Sequence, residues 1–518
     1  MSAPVRHPQD QTARSSVRAE HANLAEYVTS VLTPSQRSRV LILSFNQWDF
    51  TLGAVADMAM ALREMGSLVR IGLWSDRTPL HDVGWTTSRL FSRLLASPAR
   101  DDRVRMALID EGFPPGTFLE PPLRPWRPVE ELVLPDRLCR SQIRQMTYRG
   151  SPAGRAVLQV HPDTTTPVTD DYLWPRRWVR ATARSYAWVY DQTLAAIDAE
   201  EITAVVVYNG RFQHDRAAAA AAEARGLPVL SYDTGGHHTD FDLTIDATHD
   251  WDALQRRMLA LYDGWPAAER DDLGSSWFHE RVSHADPDNA LYVESQRIGA
   301  ELERPAGATC LVVYFSSSGD EIVELDLDWD AYFGGQERAL RLVAEQCRKR
   351  PGYALVVRSH PHKRMKPKED VAEWHAAVAE ARPDIHLDEF SDIDSYALMR
   401  QADIVVTYGS TTGVEAAFAG KPVIVMGPCA YDKLGCAIGV ADEKQLSAAL
   451  DVRDAGSWAG AVSYGLMFKR RGFGYEHVAR SADGMRSLSG VEFQEAAPRV
   501  LHLSHALNRL QRWWLTRH

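Results

Sequence analysis

Short, uninterrupted apolar runs alternate with longer stretches of helical spacing along much of this chain. That alternation predicts strands buried on both faces of parallel sheets, joined by right-handed crossovers. RVLILSF (39–45) is the first run, LGAVADMAMALREMG follows with helical periodicity, and LVRIGLW (68–74) is the second run. Residues 85–200 break the pattern: they are rich in Arg, Trp and Pro and read as a helical insertion. The alternation resumes with ITAVVVYNG (202–210), an alanine-rich helix over 216–225, and LPVLSYD (227–233). A second series starts at ATCLVVYFSSSGDE (308–321) and continues through ALVVRSHPH (354–362), IHLDEF (385–390), DIVVTYG (403–409) and PVIVMG (422–427). Helices are expected between these strands over 336–349, 369–381, 393–401 and 411–419.

Two such series make an α/β chain with two Rossmann-like, doubly wound domains facing a cleft. The expected division is a polar N-terminal extension (1–36), a first domain (37–300) with its helical insertion, a second domain (301–455), and a helical tail (456–518) packing back on the first. The length of 518 residues suits two or three domains. Composition narrows the function classes. With 58 basic against 69 acidic side chains, the net charge of −11 argues against a nucleic-acid partner. Five cysteines without zinc spacing suggest reduced thiols in a cytoplasmic protein. The first residues lack the apolar core of a signal peptide.

In open α/β sheets, ligands sit beyond the carboxyl ends of the strands, so the chemistry there decides the reading. Ser410, Thr411 and Thr412 follow the strand 403–409 at a helix start, between Gly409 and Gly413. They form either an ordinary N-cap or a phosphate cradle. RSHPH sets Arg358, His360 and His362 just past another strand, where Arg and protonated His are phosphate partners. Ser317, Ser318 and Glu321 end a third strand. Glu415 suits either the helix dipole or a ribose hydroxyl. Tyr431 and Lys433, in GPCAYDKLG, are expected to close over the same pocket.

The succession RSHPH, SDIDSYALMRQADIVVTYGSTTGVEAAFAGKPVI and GPCAYDKLG resembles GT-B-type bacterial glycosyltransferases of capsule and surface-polysaccharide biosynthesis. Capsule Kdo transferases, bacterial sialyltransferases and CDP-glycerol polymer synthases share the pattern. The resemblance implies that His360, Pro361, Ser410 and Thr411 contact the donor nucleotide and its phosphate, and that Glu415 faces the ribose. VVVYNGRFQHDRAAAAAAEARGLPVLSYDTGG resembles the first domain of other members of the group and marks Asn209, Arg211 and Arg216 for the acceptor. Those members often carry a glutamate where this chain has Asp233.

The expected activity is glycosyl transfer from a nucleotide sugar, CMP-, UDP- or GDP-linked, to a glycan, lipid-linked or small-molecule acceptor. No cofactor and no metal is expected, and DLDWD (326–330) reads as a solvated loop. Asp49, at the turn after the first strand, and Asp233 compete as general base, with His237 or His238 next. The basic, Trp-bearing segment 500–518 suggests peripheral contact with the inner membrane face. Two other readings share the architecture: a non-hydrolysing nucleotide-sugar 2-epimerase and a catalytically inactive binding module.

Overall fold

The computed structural model describes residues 23–46, 48–75, 100–121, 127–159, 172–237, 239–246, 250–286, 289–318, 333–480 and 486–493. Glu321, His238, the DLDWD stretch and the segment 500–518 lie outside them.

Two six-stranded sheets carry the fold. In the first, β1 (Arg39–Ser44), β2 (Leu68–Leu73), β3 (Ala204–Tyr208) and β4 (Val229–Thr234) are parallel, in the order β2-β1-β3-β4. β5 (Asp240–Thr244) then adds antiparallel to β4, a strand the apolar-run pattern did not reveal. In the second sheet, β6 (Cys310–Phe315), β7 (Tyr353–Arg358), β8 (Ile385–Leu387), β9 (Ile404–Thr407), β10 (Val423–Val425) and β11 (Ile438–Gly439) are all parallel. Their order is β11-β10-β9-β6-β7-β8. The chain reverses direction across each sheet at one place: between β1 and β3 in the first, and between β6 and β9 in the second. These two switch points are where open α/β sheets leave a crevice for ligands.

The uninterrupted apolar runs follow from burial on both faces. Val40 and Ile42 pack with the helix Asp49–Glu64, whereas Leu41 and Leu43 pack with Tyr186, Trp188 and Tyr190 of the helix Arg176–Glu200. The helical insertion is therefore the second layer of the first sheet. In the second sheet Leu311, Val313 and Phe315 face one core, and Val312 and Tyr314 face the other.

Packing corrects two of the expected boundaries. Met258, Phe278 and Val293 share the core of the second sheet, so the helices Trp251–Gly264 and Ala267–Val282 belong with the C-terminal unit rather than ending the first. The tail is helical at Trp458–Arg470, where it lies against Ala267–Val282 at close range; a Cβ on Gly465 would stand 2.2 Å from the Gly274 carbonyl oxygen. Gly472, at φ 97°, then ends the helix, and β12 (Phe473–Gly474) joins the first sheet antiparallel to β5. Asp57 accepts three successive backbone N–H groups from Glu476, His477 and Val478. The tail thus returns to the first sheet as a strap of strand and loop. No helix among the described residues is long and apolar enough to cross a membrane.

Candidate functional site

Beyond the carboxyl ends of β6, β7 and β9 lies a cavity of about 290 Å³. Ser317, Ser318, Arg358, His360, Ser410, Thr411, Thr412 and Glu415 all line it. These residues are spread over a hundred positions of sequence, and the β6/β9 switch point brings them together.

Arg358 closes β7. It is 2% exposed, and its Nη1 and Nη2 donate to the backbone carbonyls of Asp388 and Ser391, each at 3.2 Å. Its Nε is buried with no acceptor, and no carboxylate lies within ion-pair distance among the described residues. Burial pulls its pKa down to about 10. A buried cation hydrogen-bonded only to carbonyls is costly even with Asp388, Asp392 and Asp394 in the neighbourhood, and an anion in the cavity would relieve that cost.

Next to it, the His360 N–H donates to Ser316 Oγ at 2.8 Å, and its Nδ1 accepts from the His362 N–H at 3.2 Å. With Nδ1 an acceptor, the proton of a neutral ring sits on Nε2. Tyr292 lies edge-on to this ring, 5.3 Å away.

The turn after β9 starts with Gly409 at φ 86°, a left-handed conformation that glycine adopts at little cost. Ser410 Oγ accepts from the Thr412 N–H at 3.3 Å and donates to Thr412 Oγ1 at 3.1 Å. The helix that follows, Thr412–Phe418, has only two turns, so its dipole is a small contribution. The useful donors are the local N–H groups and hydroxyls.

Glu415 is buried, and Oε1 takes Arg281 Nε at 2.5 Å and the Tyr396 hydroxyl at 3.4 Å. Burial pushes its carboxyl upward, against the pull of Arg281. Arg281 also pairs with Asp286 at 3.0 Å and donates to Asn289 Oδ1 at 3.2 Å, while Asn289 Nδ2 donates to the Tyr396 hydroxyl at 2.9 Å. The sequence motifs missed this network, because Arg281 is 134 positions from Glu415 and sits in a helix with no motif of its own.

Several expected contacts stand elsewhere. Tyr431 is buried beneath the Ser410 turn, donating to the Ser410 carbonyl at 2.5 Å. A Cβ on Gly413 would meet that hydroxyl at 2.2 Å, which is why glycine stands there. Tyr431 thus shapes the turn from below and does not line the cavity. Lys433 Nζ pairs with Asp252 at 2.5 Å on the surface and is not a wall of the cavity either. Ser317 lines the cavity, but its hydroxyl is committed to the Tyr408 carbonyl at 2.9 Å.

At the first sheet, Asp49 is drawn into the tail. Its Oδ2 pairs with Arg486 Nη1 at 2.6 Å, with both side chains largely buried. Gly53 leaves room for Arg486: a Cβ there would lie 2.4 Å from Cδ. Asp233 Oδ2 accepts Asn209 Nδ2 at 2.5 Å, and Oδ1 accepts the Thr234 N–H at 2.7 Å. Asn209 holds a left-handed φ of 52° to reach it. Arg211 lies over the Phe212 ring at 5.0 Å. Arg216 is half-buried on the helix Gln213–Glu223, and His237 Nδ1 is 2.8 Å from Thr239 Oγ1. No group of three or more His, Cys, Asp or Glu side chains that could hold a metal occurs among the described residues.

Residues 289–455 match the family described as "Capsule polysaccharide biosynthesis protein", on the stretch whose motifs carry the resemblance. No curated protein matches the chain. Among solved structures, the β-Kdo 2,4 transferase KpsC of Thermosulfurimonas dismutans is similar at 17% identity, over 51% of this chain and 79% of that one, with a TM-score of 0.32. Its β-Kdo 2,7 transferase counterpart is 15% identical over 60% and 89%, at 0.34. A putative UDP-N-acetylglucosamine 2-epimerase from Listeria monocytogenes is 14% identical over 85% and 92%, at 0.24.

Proposed function

We propose that the chain is a glycosyltransferase of capsule or surface-glycan biosynthesis, moving a sugar from a nucleotide-activated donor to an acceptor hydroxyl. The observation that carries the reading is Arg358: a buried guanidinium on the cavity wall, without a contacting carboxylate among the described residues, beside His360 and the Ser410 turn. Such a site suits a doubly charged phosphate better than a neutral ligand. The family match over 289–455 covers this cavity and supports the same reading.

In this mechanism Arg358, His360 and the hydroxyls of the Ser410 turn hold the donor phosphates and stabilise the charge that develops on the leaving group. Preorganised donors of this kind are worth about 3–4 kcal/mol each in the transition state. Glu415, fixed by Arg281 and Tyr396, accepts from the sugar edge of the nucleotide. We assign the general base to Asp233 rather than Asp49, because Asp49 is neutralised by Arg486 whereas Asp233 is propped by a neutral carboxamide. Asp233 would take the proton of the acceptor hydroxyl as that oxygen attacks the anomeric carbon.

A thermal-shift series with CMP, CDP, UDP, GDP and TDP tests the donor site. A nucleotide at 100 times its dissociation constant should raise stability by about 2.7 kcal/mol. The shift should vanish in Arg358→Met and shrink in His360→Ala and Ser410→Ala. Unchanged shifts in all three would refute the phosphate assignment. Incubation with the nucleotide sugar alone separates the epimerase reading, which requires the sugar to change without an acceptor.

A further inference from the structure

At the β1/β3 switch point of the first sheet, four aromatic rings form one block. Trp48 and Phe50, both part-exposed, are stacked at 5.6 Å with planes 21° apart. Tyr208 and Phe212 lie behind them, stacked at 5.9 Å and 11°, and Trp48 meets Tyr208 edge-on at 5.5 Å. The block is flanked by opposite charges. Arg211 covers Phe212, with its Nε buried and lacking an acceptor among the described residues. Asp233, held by Asn209, is close enough to influence the Tyr208 hydroxyl. The loop after Asp233 is tied to the C-terminal unit: the Gly236 N–H donates to the Arg471 carbonyl at 2.8 Å. Lys469, two residues earlier, pairs with Glu280, the neighbour of the cavity residue Arg281.

We propose that Trp48 and Phe50 form a shelf for the terminal sugar ring of the acceptor, with an anionic substituent of that ring on Arg211. The proposal rests on the acceptor binding at the first sheet. A pyranose ring has an apolar C–H face and a rim of hydroxyls, so it needs a flat aromatic surface beside a hydrogen-bonding carboxylate. Packing on an aromatic face contributes apolar contact at low entropic cost, since the rings are already held by their neighbours. Arg211, with its guanidinium carbon 5.0 Å from the Phe212 ring centre, is placed to receive a planar or tetrahedral anion through charge-assisted hydrogen bonds. A nucleobase would also stack, but the donor nucleotide is already assigned to the cavity at β6/β9.

The test is calorimetric titration of the full chain with uronate-terminated, phosphate-terminated and neutral oligosaccharides of equal length. At least one acidic probe should bind about tenfold or more tightly than the neutral one, and the two acidic probes distinguish carboxylate from phosphate. Trp48→Leu should weaken all probes about tenfold, with Trp48→Phe restoring most of the loss. Arg211→Gln should bring the acidic probe down to the neutral level and leave the neutral probe unchanged. Nucleotide-induced thermal shift, measured on each variant, reports an intact fold and should not move. Acidic probes that bind no better than neutral ones, or a Trp48→Leu variant that binds sugars as wild type and loses nucleotide instead, would overturn the shelf. Loss of sugar binding with nucleotide shifts retained leaves the donor site standing; sugar binding without any nucleotide shift refutes the donor site and leaves the shelf standing.

Discussion

The two switch points carry similar residues and spend them differently. At β6/β9, Arg358 is buried without a contacting carboxylate among the described residues, so its charge is left for whatever enters the cavity. At β1/β3, Asp49 is equally well placed at a strand-to-helix turn, yet its charge is already cancelled by Arg486. A strand-end position offers a site for chemistry, but the rest of the fold decides whether the side chain remains available. In the second sheet the neighbours in contact supply carbonyls, which orient a guanidinium, while Asp388, Asp392 and Asp394 act on its charge only from farther off. In the first, the returning tail supplies a cation and turns a candidate base into a fastening.

The sharpest way to break this contrast is to exchange the roles. Arg358→Met should lower turnover on the order of 10²–10³-fold, with Arg358→Lys retaining part of it, in assays of sugar transfer at saturating acceptor. Equal activity in Met and wild type would place Arg358 with Asp49, as structure only. Next in size, Arg486→Met leaves the partly buried Asp49 without its ion-pair partner, with only the more distant Arg100 to offset it, and should cost about 3 kcal/mol in denaturant unfolding. Its nucleotide response should persist, and adding Asp49→Asn should recover part of the stability. If Asp49→Asn alone abolishes turnover at undiminished stability, Asp49 is the base after all.

Smaller effects probe the supports. Tyr431→Phe removes the hydrogen bond to the Ser410 carbonyl from beneath the turn. About 1 kcal/mol of nucleotide binding should go with it, read as a roughly fivefold weaker dissociation constant. Lys433→Ala breaks only an exposed pair with Asp252, 58% and 54% exposed at the side chains. It should change stability by less than about 1 kcal/mol and leave nucleotide affinity as it is. A large loss of affinity in that variant would bring Lys433 back into the site.

Much of the cavity was legible in the chain itself. RSHPH and the Gly-Ser-Thr-Thr-Gly turn mark two strand ends, and eight of the residues named from the pattern do line one space. Tyr431 and Lys433 do not line that space, Glu321 lies outside the described residues, and Arg281 was not named at all. Tyr431 is near the turn in sequence and in space, but sequence does not say whether it approaches from the ligand side or from beneath. Arg281 carries no motif, and its importance exists only because the helix Ala267–Val282 packs against the C-terminal sheet.

Taken alone, the amino-acid order marked β1 to β4, β6 to β10 and the helices between them, though not β5, β11 or β12, because an apolar run or a helical period is a property of adjacent residues and of the water they avoid. It also determined which strand ends carry hydroxyl, imidazole and guanidinium groups. Only the tertiary structure decided which charges meet: Asp49 with Arg486 across 437 positions, Glu415 with Arg281 across 134, and Arg358 with no carboxylate in contact among the described residues. Such pairings depend on how separate layers pack, and nothing local in the chain encodes the distance between two side chains that far apart.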